Sequence, residues 1–343
     1  MQALVLEDYK ELAVRDVEAP AVEPNEALIR VHSCGICGSD VHGFDGSSGR
    51  RIPPVIMGHE ASGIIEEVGP NVTKFKPGDR VTFDSMISCA NCSFCRSGEP
   101  NLCDGRRVLG VSCDDYRRNG AFAEYVNVPE HIIYGLPEGL AFDHAAMVEP
   151  VSVALHAVNI TPIDLGDSAV VIGAVMIGLL TVQALRAAGC GRIVSVDLED
   201  DRLALAKKLG ADETLNSGSV DATAAILEMT NGAGADLTFE AVGADPTVKM
   251  AIDSVRKGGS VSLIGNVTAN VGLPLQSVVT REITLYGSCA SANDYPACLE
   301  LMNRGAIQVT PMISATVGLD RGAEMFDRLY SREPNLTKVI VNP

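Results

Sequence analysis

Tryptophan is absent from this chain of 343 residues, and that absence alone carries no functional message. The scarcity of positive charge does. Lysine and arginine number 27 against 44 aspartates and glutamates, a formal net charge of −17. Nucleic acid and anionic membrane surfaces are bound through clustered cations, so this balance argues against both as partners. The surplus of acids instead keeps a soluble chain dispersed. No basic stretch followed by an apolar one opens the sequence; MQALVLEDYKE has no secretory pattern. Internal repeats and low-complexity tracts are also missing. Long hydrophobic runs are nearly so. The exception, Ser168 to Leu185, is uncharged and mostly apolar but interrupted by Gly173 and Gly178. A buried strand, a glycine turn and a buried helix account for it better than a bilayer span.

What is present divides near Pro150. Residues 1–150 read as β-rich, with short apolar or alternating runs at Ala27–Val31, Ala61–Val68 and Phe122–Val128. Turn chemistry separates them, as in Gly69-Pro70-Asn71 and Lys76-Pro77-Gly78-Asp79. A compact, partly barrel-like sheet is expected there. Beyond Pro150, strands at Ser168–Ile172, Arg192–Asp197, Leu237–Glu240 and Ser260–Ile264 alternate with helices. The helices are Met176–Ala188, Asp201–Leu209, Thr223–Met229 and Thr247–Val255. Such alternation implies a doubly wound parallel sheet with helices on both faces. The tail from Ile283 adds a strand, a helix around Pro296–Arg304 and a last strand at Thr337–Val341.

Four of the ten cysteines, Cys89, Cys92, Cys95 and Cys103, follow C-x2-C-x2-C-x7-C within a stretch rich in Ser, Gly, Asn and Pro. Short loops bring such thiolates to one point, and four of them with no open position describe a structural Zn2+ site. Disulfide pairing is the competing reading, though cysteines so close in sequence bridge poorly. Zinc thiolates persist where thiols stay reduced, so a cytoplasmic location is expected.

Gly173-Ala174-Val175-Met176-Ile177-Gly178 follows a strand and opens a helix, and Asp197 closes the next strand nineteen residues past Gly178. A dinucleotide phosphate loop has this context. The helix N-terminus offers N–H groups to a pyrophosphate, and Asp197 would accept ribose hydrogen bonds. A carboxylate there repels a 2′-phosphate, and Glu199, Asp200 and Asp201 add to the repulsion, so NAD rather than NADP is expected. Val175 stands where the second glycine belongs, and its branched side chain should weaken NAD binding or hold the phosphates further out. Arg202 and Val242 join the expected cofactor set. Gly265-Asn266 and Ser288-Cys289, which follow later apolar strands, should contribute main-chain contacts to the nicotinamide. A plain strand-helix turn without nucleotide is the competing reading of the glycine loop.

A second set of ligand-type residues lies in the N-terminal half: Cys37, His59 with Glu60, and Glu149 at the domain junction. One thiolate, one imidazole and a carboxylate leave a fourth position open, as a catalytic zinc requires. Spacing alone does not join residues so far apart. However, Cys37-Gly38-Ser39-Asp40 with His42, Gly58-His59-Glu60, Lys76-Pro77-Gly78-Asp79, the four-cysteine lobe and the unit ending at Asp197 together carry a resemblance. The chain resembles the zinc-dependent medium-chain dehydrogenases over essentially its whole length. Glu149-Pro150-Val151-Ser152 looks like the polyol branch, related to sorbitol and galactitol-phosphate dehydrogenases, with threonine dehydrogenases as close relatives.

The resemblance implies a β-rich GroES-like catalytic domain, 1–150 with 287–343 returning to it, and a Rossmann domain, 151–286, with the active site in the cleft between them. It implies Cys37 and His59 as catalytic zinc ligands, Glu60 or Glu149 as the third, and Ser39 and His42 as a proton relay. It implies oxidation of a secondary hydroxyl of a polyol, sugar alcohol or sugar derivative by NAD, in a homodimer or homotetramer. Two other readings stand: an amino-alcohol dehydrogenase acting on threonine, and a zinc-stabilised nucleotide-binding protein without turnover. Cys113, Cys190, Cys289 and Cys298 read as packing residues, and Arg50 with Arg51 as a solvated loop pair.

Overall fold

Ala27, Ile29 and Val31 alternate along the strand Glu26–Gly35 and are buried, the two-residue period of a strand with one face in a core. Its antiparallel neighbour on one side is Glu60–Val68; on the other, Tyr125–Pro129 pairs one end and Lys338–Asn342 the other. The sheet runs on through Arg80–Phe83 to Ile133–Gly135 at one edge and to Ile313–Gly318 at the other, seven strands in all. A smaller sheet of Glu11–Asp16, Gln2–Asp8 and Val55–Ile56 packs on the same core, which includes Leu4, Ile29, Phe44, Ile65, Phe122 and Phe326. A short ladder, Met86–Ile87 against Arg107–Val108, closes the base of the segment carrying the four clustered cysteines.

The computed structural model describes residues 1–343 and separates two units. The first is Met1–Glu149 with Tyr295–Asn303 and Val309–Pro343; the second is Pro150–Asp294 with Arg304–Gln308. The second unit holds a six-stranded sheet of β1 (Ser168–Ile172), β2 (Arg192–Asp197), β3 (Glu213–Asn216), β4 (Ala235–Glu240), β5 (Val255–Leu263) and β6 (Thr284–Gly287). All pairings are parallel, in the order β3-β2-β1-β4-β5-β6. That is the Rossmann order, and it reverses between β1 and β4. The expected α/β class is therefore present, and the first unit is the β-rich one. β1, SAVVI, is a near-continuous apolar run, as a strand buried on both faces requires.

Several elements escaped the sequence reading, among them the helices Gly38–Phe44, Leu275–Thr280 and Gly322–Tyr330 and the strand Ile313–Gly318. β3 is a half-buried edge strand of sequence ETLN, without an apolar pattern to reveal it. Glu149 lies in the first turn of the helix Val148–Ile160, where the sequence suggested only a junction. No helix is long and apolar enough to cross a membrane.

Candidate active site

Cys37 ends the turn after the strand Glu26–Gly35 and is the N-cap of the helix Gly38–Phe44. Asp40, at the third helical position, accepts a hydrogen bond from the Cys37 N–H at 3.2 Å. The neighbouring strand Glu60–Val68 begins beside this turn, since Gly35 pairs with Glu60. His59 and Glu60 thus arrive next to Cys37, and their ligand atoms all lie within 4.8 Å of one another. Sequence spacing could not join these residues; strand pairing does.

Buried carboxylates and cations surround the three. Asp40, with no exposed surface, holds Arg51 at 3.1 Å and stands 3.2 Å from His59 Nδ1. Nδ1 thus faces the Asp40 carboxylate, while Nε2 lies on the other side of the ring, 3.4 Å from Ser39 Oγ. Burial works against charge on Asp40, but His59 and then Arg51 outweigh it and hold its carboxyl well below the usual range. Lys338, on the last strand, reaches Glu60 Oε2 at 2.5 Å and the Ile36 carbonyl at 3.1 Å. Burial would lower the Lys338 pKa, yet Glu60 and then Cys37 raise it. Glu149 is pushed up to about 7, by burial first and then by Glu60. Among these paired charges a thiol, an imidazole and a carboxylate converge. This donor set fits a divalent zinc with an open position.

Ser39 and His42 are both exposed and lie at i, i+3 on the helix Gly38–Phe44, so they share a face. Arg50 is exposed, but Arg51 is buried on Asp40. The expectation of a solvated arginine pair is therefore corrected for Arg51, whose guanidinium Asp40 takes out of water. Asp40, Arg51 and Lys338 are the site residues that sequence reasoning did not assign. Asp40 sat inside the quoted motif and could have been suspected; Lys338 had no signal.

In the cysteine lobe, all four thiols are free of disulfides and their sulfurs cluster within 4.8 Å. Cys92 Sγ is 3.5 Å and Cys89 Sγ 4.0 Å from Cys95 Sγ. Sulfurs bound to one tetrahedral zinc at about 2.3 Å stand roughly 3.8 Å apart, so the lobe fits the ion. Main-chain N–H groups point at the sulfurs, Cys92 N to Cys89 Sγ and Cys89 N to Cys103 Sγ, both at 3.3 Å. N–H groups of Cys95 and Asp104 draw the Cys92 thiol down to about 6, while desolvation and Cys92 push Cys95 up to about 11. Elsewhere Cys190 and Cys298 are buried as expected of packing residues, but Cys289 is exposed.

In the second unit, the residues expected to bind the cofactor lie at or just beyond the C-terminal ends of the parallel strands. Gly173 follows β1 with φ +95°, and a Cβ there would sit 2.7 Å from Val242 Cγ2. A Cβ on Gly178 would fall 1.7 Å from the Gly173 carbonyl oxygen, so glycine allows the helix Met176–Ala188 to close on the loop. Val175 caps that helix without a side-chain hydrogen bond and is 45% exposed, with Met176 and Ile177 half-buried behind it. Asp197 is buried and turns inward. Its Oδ2 accepts the Ala174 N–H at 2.6 Å, and its Oδ1 accepts those of Leu198 at 2.8 Å and Glu199 at 3.1 Å. Arg202 pairs with it at 3.3 Å. Asp197 therefore pins the glycine loop. Gly265 and Asn266 abut Gly243, and Ser288 N donates to the Leu263 carbonyl, while Cys289 lies exposed beyond it.

Comparison with known proteins places both halves. Residues 23–138 match the alcohol dehydrogenase GroES-like domain, and residues 177–304 match the zinc-binding dehydrogenase family. The chain is 33% identical to sorbitol dehydrogenase of Bacillus subtilis (strain 168), covering 100% of this chain and 97% of that one. It is 36% identical to D-arabitol-phosphate dehydrogenase of Enterococcus avium, covering 97% and 94%. Among solved structures, a zinc-binding dehydrogenase of Sinorhizobium meliloti 1021 bound to NADP superimposes with a TM-score of 0.92 at 33% identity, covering 100% and 99%.

Proposed function

The chain belongs to the zinc-binding alcohol dehydrogenase family, and from that premise we propose that it oxidises a secondary hydroxyl of a polyol, sugar alcohol or sugar derivative with NAD. The observation that carries this reading is the convergence of the ligand atoms of Cys37, His59 and Glu60 within 4.8 Å of one another. Sorbitol and D-arabitol phosphate in the relatives' names point to the substrate class.

Cys37, His59 and one of the carboxylates Glu60 and Glu149 would hold the zinc. Bound there, zinc supplies Lewis acidity that eases loss of the hydroxyl proton, and NAD supplies the hydride acceptor. The chain's own residues do the rest. Ser39 Oγ, beside His59 Nε2, takes the proton, and His42 on the same helix face passes it to solvent. Asp40 fixes the imidazole tautomer through Nδ1. Lys338 holds Glu60 in place beside Cys37 and His59. On the second unit, the loop 173–178 and the helix behind it receive the pyrophosphate. Asp197, with Glu199, Asp200 and Asp201 around it, disfavours a 2′-phosphate and favours NAD. Val242, Gly265, Asn266, Ser288 and Cys289 line the nicotinamide half.

A small-molecule substrate, a homodimer or homotetramer and a cytoplasmic setting complete the reading; ten cysteines without a disulfide suit a reducing compartment. NADH formation across sorbitol, galactitol, xylitol and threonine, with metal analysis, tests it. We expect two zinc equivalents per chain, turnover of polyols with NAD above NADP, and loss of turnover on chelation that zinc restores. A single equivalent bound by the cysteine quartet alone, or a zinc-loaded chain that turns over threonine only, sinks the proposal.

A further inference from the structure

Where the strand order of the second unit reverses, the ends of β1 and β4 touch at Gly173 and Val242. The loop after β5 closes on the same point, since a Cβ on Gly265 would fall 2.2 Å from the main chain of Val242 and Gly243. Glu240, the last residue of β4, ties this junction together and has no exposed surface. Its Oε1 accepts the N–H of Val242 at 2.9 Å and of Gly243 at 2.8 Å, and its Oε2 stands 3.0 Å from the same Gly243 nitrogen. Its main-chain carbonyl takes the N–H groups of Ile264 and Gly265. Every one of these bonds is accepted from the backbone, and Glu240 pairs with no lysine, arginine or histidine. A loop tie alone would be served by a neutral oxygen, whereas a buried carboxylate without a cation is costly.

Open α/β sheets bind dinucleotides at the reversal of strand order. The nicotinamide ring is a cation in NAD+ and neutral in NADH. We propose that the Glu240 carboxylate supplies a fixed negative charge at this reversal that favours the oxidised, cationic nicotinamide over the reduced one. The inference rests on the dinucleotide reading above and deepens it: Glu240 sets which redox form of the cofactor the chain prefers. Favouring NAD+ suits an enzyme that runs in the oxidative direction, because it holds the reactant and lets the product, whose ring is neutral, leave.

Calorimetric titration of the full-length, zinc-loaded chain with NAD+, NADH and ADP-ribose tests the inference. The parent is compared with Glu240→Gln, which keeps the shape and removes the charge, and with Glu240→Asp, which keeps the charge and disturbs the loop. For the Gln variant the ratio of the NAD+ to the NADH dissociation constant should rise by about tenfold, as fixed charges in a partly screened interior allow. ADP-ribose, which lacks the ring, should bind within about twofold of the parent, a difference below half a kcal/mol. The Asp variant should keep the parental ratio even if both dinucleotides bind more weakly. Equal weakening of NAD+ and NADH by Gln, or a ratio that Asp moves as far as Gln does, overturns the role of the charge. Should the Gln variant no longer hold ADP-ribose, the Asp variant decides by the same ratio. A folded parent that binds neither dinucleotide refutes the cofactor reading itself.

Discussion

The valine at 175 occupies the place of the middle glycine of a dinucleotide loop, yet its backbone, with φ −88° and ψ −167°, is one that any residue adopts. The glycine there is thus dispensable for the fold; what valine changes is the space in front of the helix. We expect Val175→Gly to tighten NAD binding by about fivefold, roughly 1 kcal/mol, in a calorimetric titration; equal affinities would show that the side chain stands clear of the cofactor. Lys338 is the opposite case, a buried side chain whose charge meets the Glu60 carboxylate and the Ile36 carbonyl. Removing one member of a buried ion pair strands the other and costs about 3–5 kcal/mol. Lys338→Met should lower the stability of the metal-free chain by that amount in urea unfolding. Added zinc should narrow the gap, because a dication offsets Glu60 in the lysine's stead. A loss unaffected by zinc would place Glu60 out of reach of the metal.

Among the elements, the parallel strands of the second unit were the most legible in the sequence. β1 and β2 and the helix Met176–Ala188 lie where their apolar runs and glycine turns placed them, because a strand buried on both faces needs an unbroken apolar run. Edge strand β3 lacked that need and was missed. Polar ties between strands were also out of view. Asp236, on β4, accepts Ser168 N at 2.8 Å, Ser168 Oγ at 2.6 Å and Arg256 Nε at 2.7 Å, locking the start of β1 to β4 and β5. Partial burial opposes its charge, but Ser168 and then Arg256 hold its pKa below the ordinary value. A carboxyl depressed in the folded state stabilises above its unfolded pKa of about 3.9 and loses that contribution as pH falls through the folded value. Asp236→Asn should therefore cost about 1–2 kcal/mol at neutral pH, with the gap to the parent shrinking below about pH 4. Denaturant unfolding of both chains across that range is the measurement; a gap that grows on acidification would contradict the sign.

On the scale of the whole molecule, a net charge of −17 makes like copies repel, so any assembly must be held by apolar surface and backbone pairing. One region offers both. β6 is an open edge of the six-stranded sheet, and just before it Leu275 and Val279 stand 62% and 64% exposed at i, i+4 on the helix Leu275–Thr280. An edge strand paired with its own copy about a two-fold axis satisfies its free N–H and C=O groups. Sedimentation should give a dimer or tetramer, and Leu275→Asp with Val279→Asp should shift it toward monomer; a monomeric parent would refute the oligomer reading.

Local chemistry by itself determined the chain's two characters, β-rich then alternating, and the thiolate quartet between Cys89 and Cys103 with its short connecting loops. The glycine loop after β1 was determined in the same way, because neighbours in sequence must be neighbours in space. Only the tertiary structure decided which charges meet. Lys338 reaches Glu60 across 278 residues, Arg51 leaves solvent for Asp40, and Glu240 spends its carboxylate on the backbone. Those meetings depend on strand register and on the desolvation that burial imposes, and neither is written in composition or spacing.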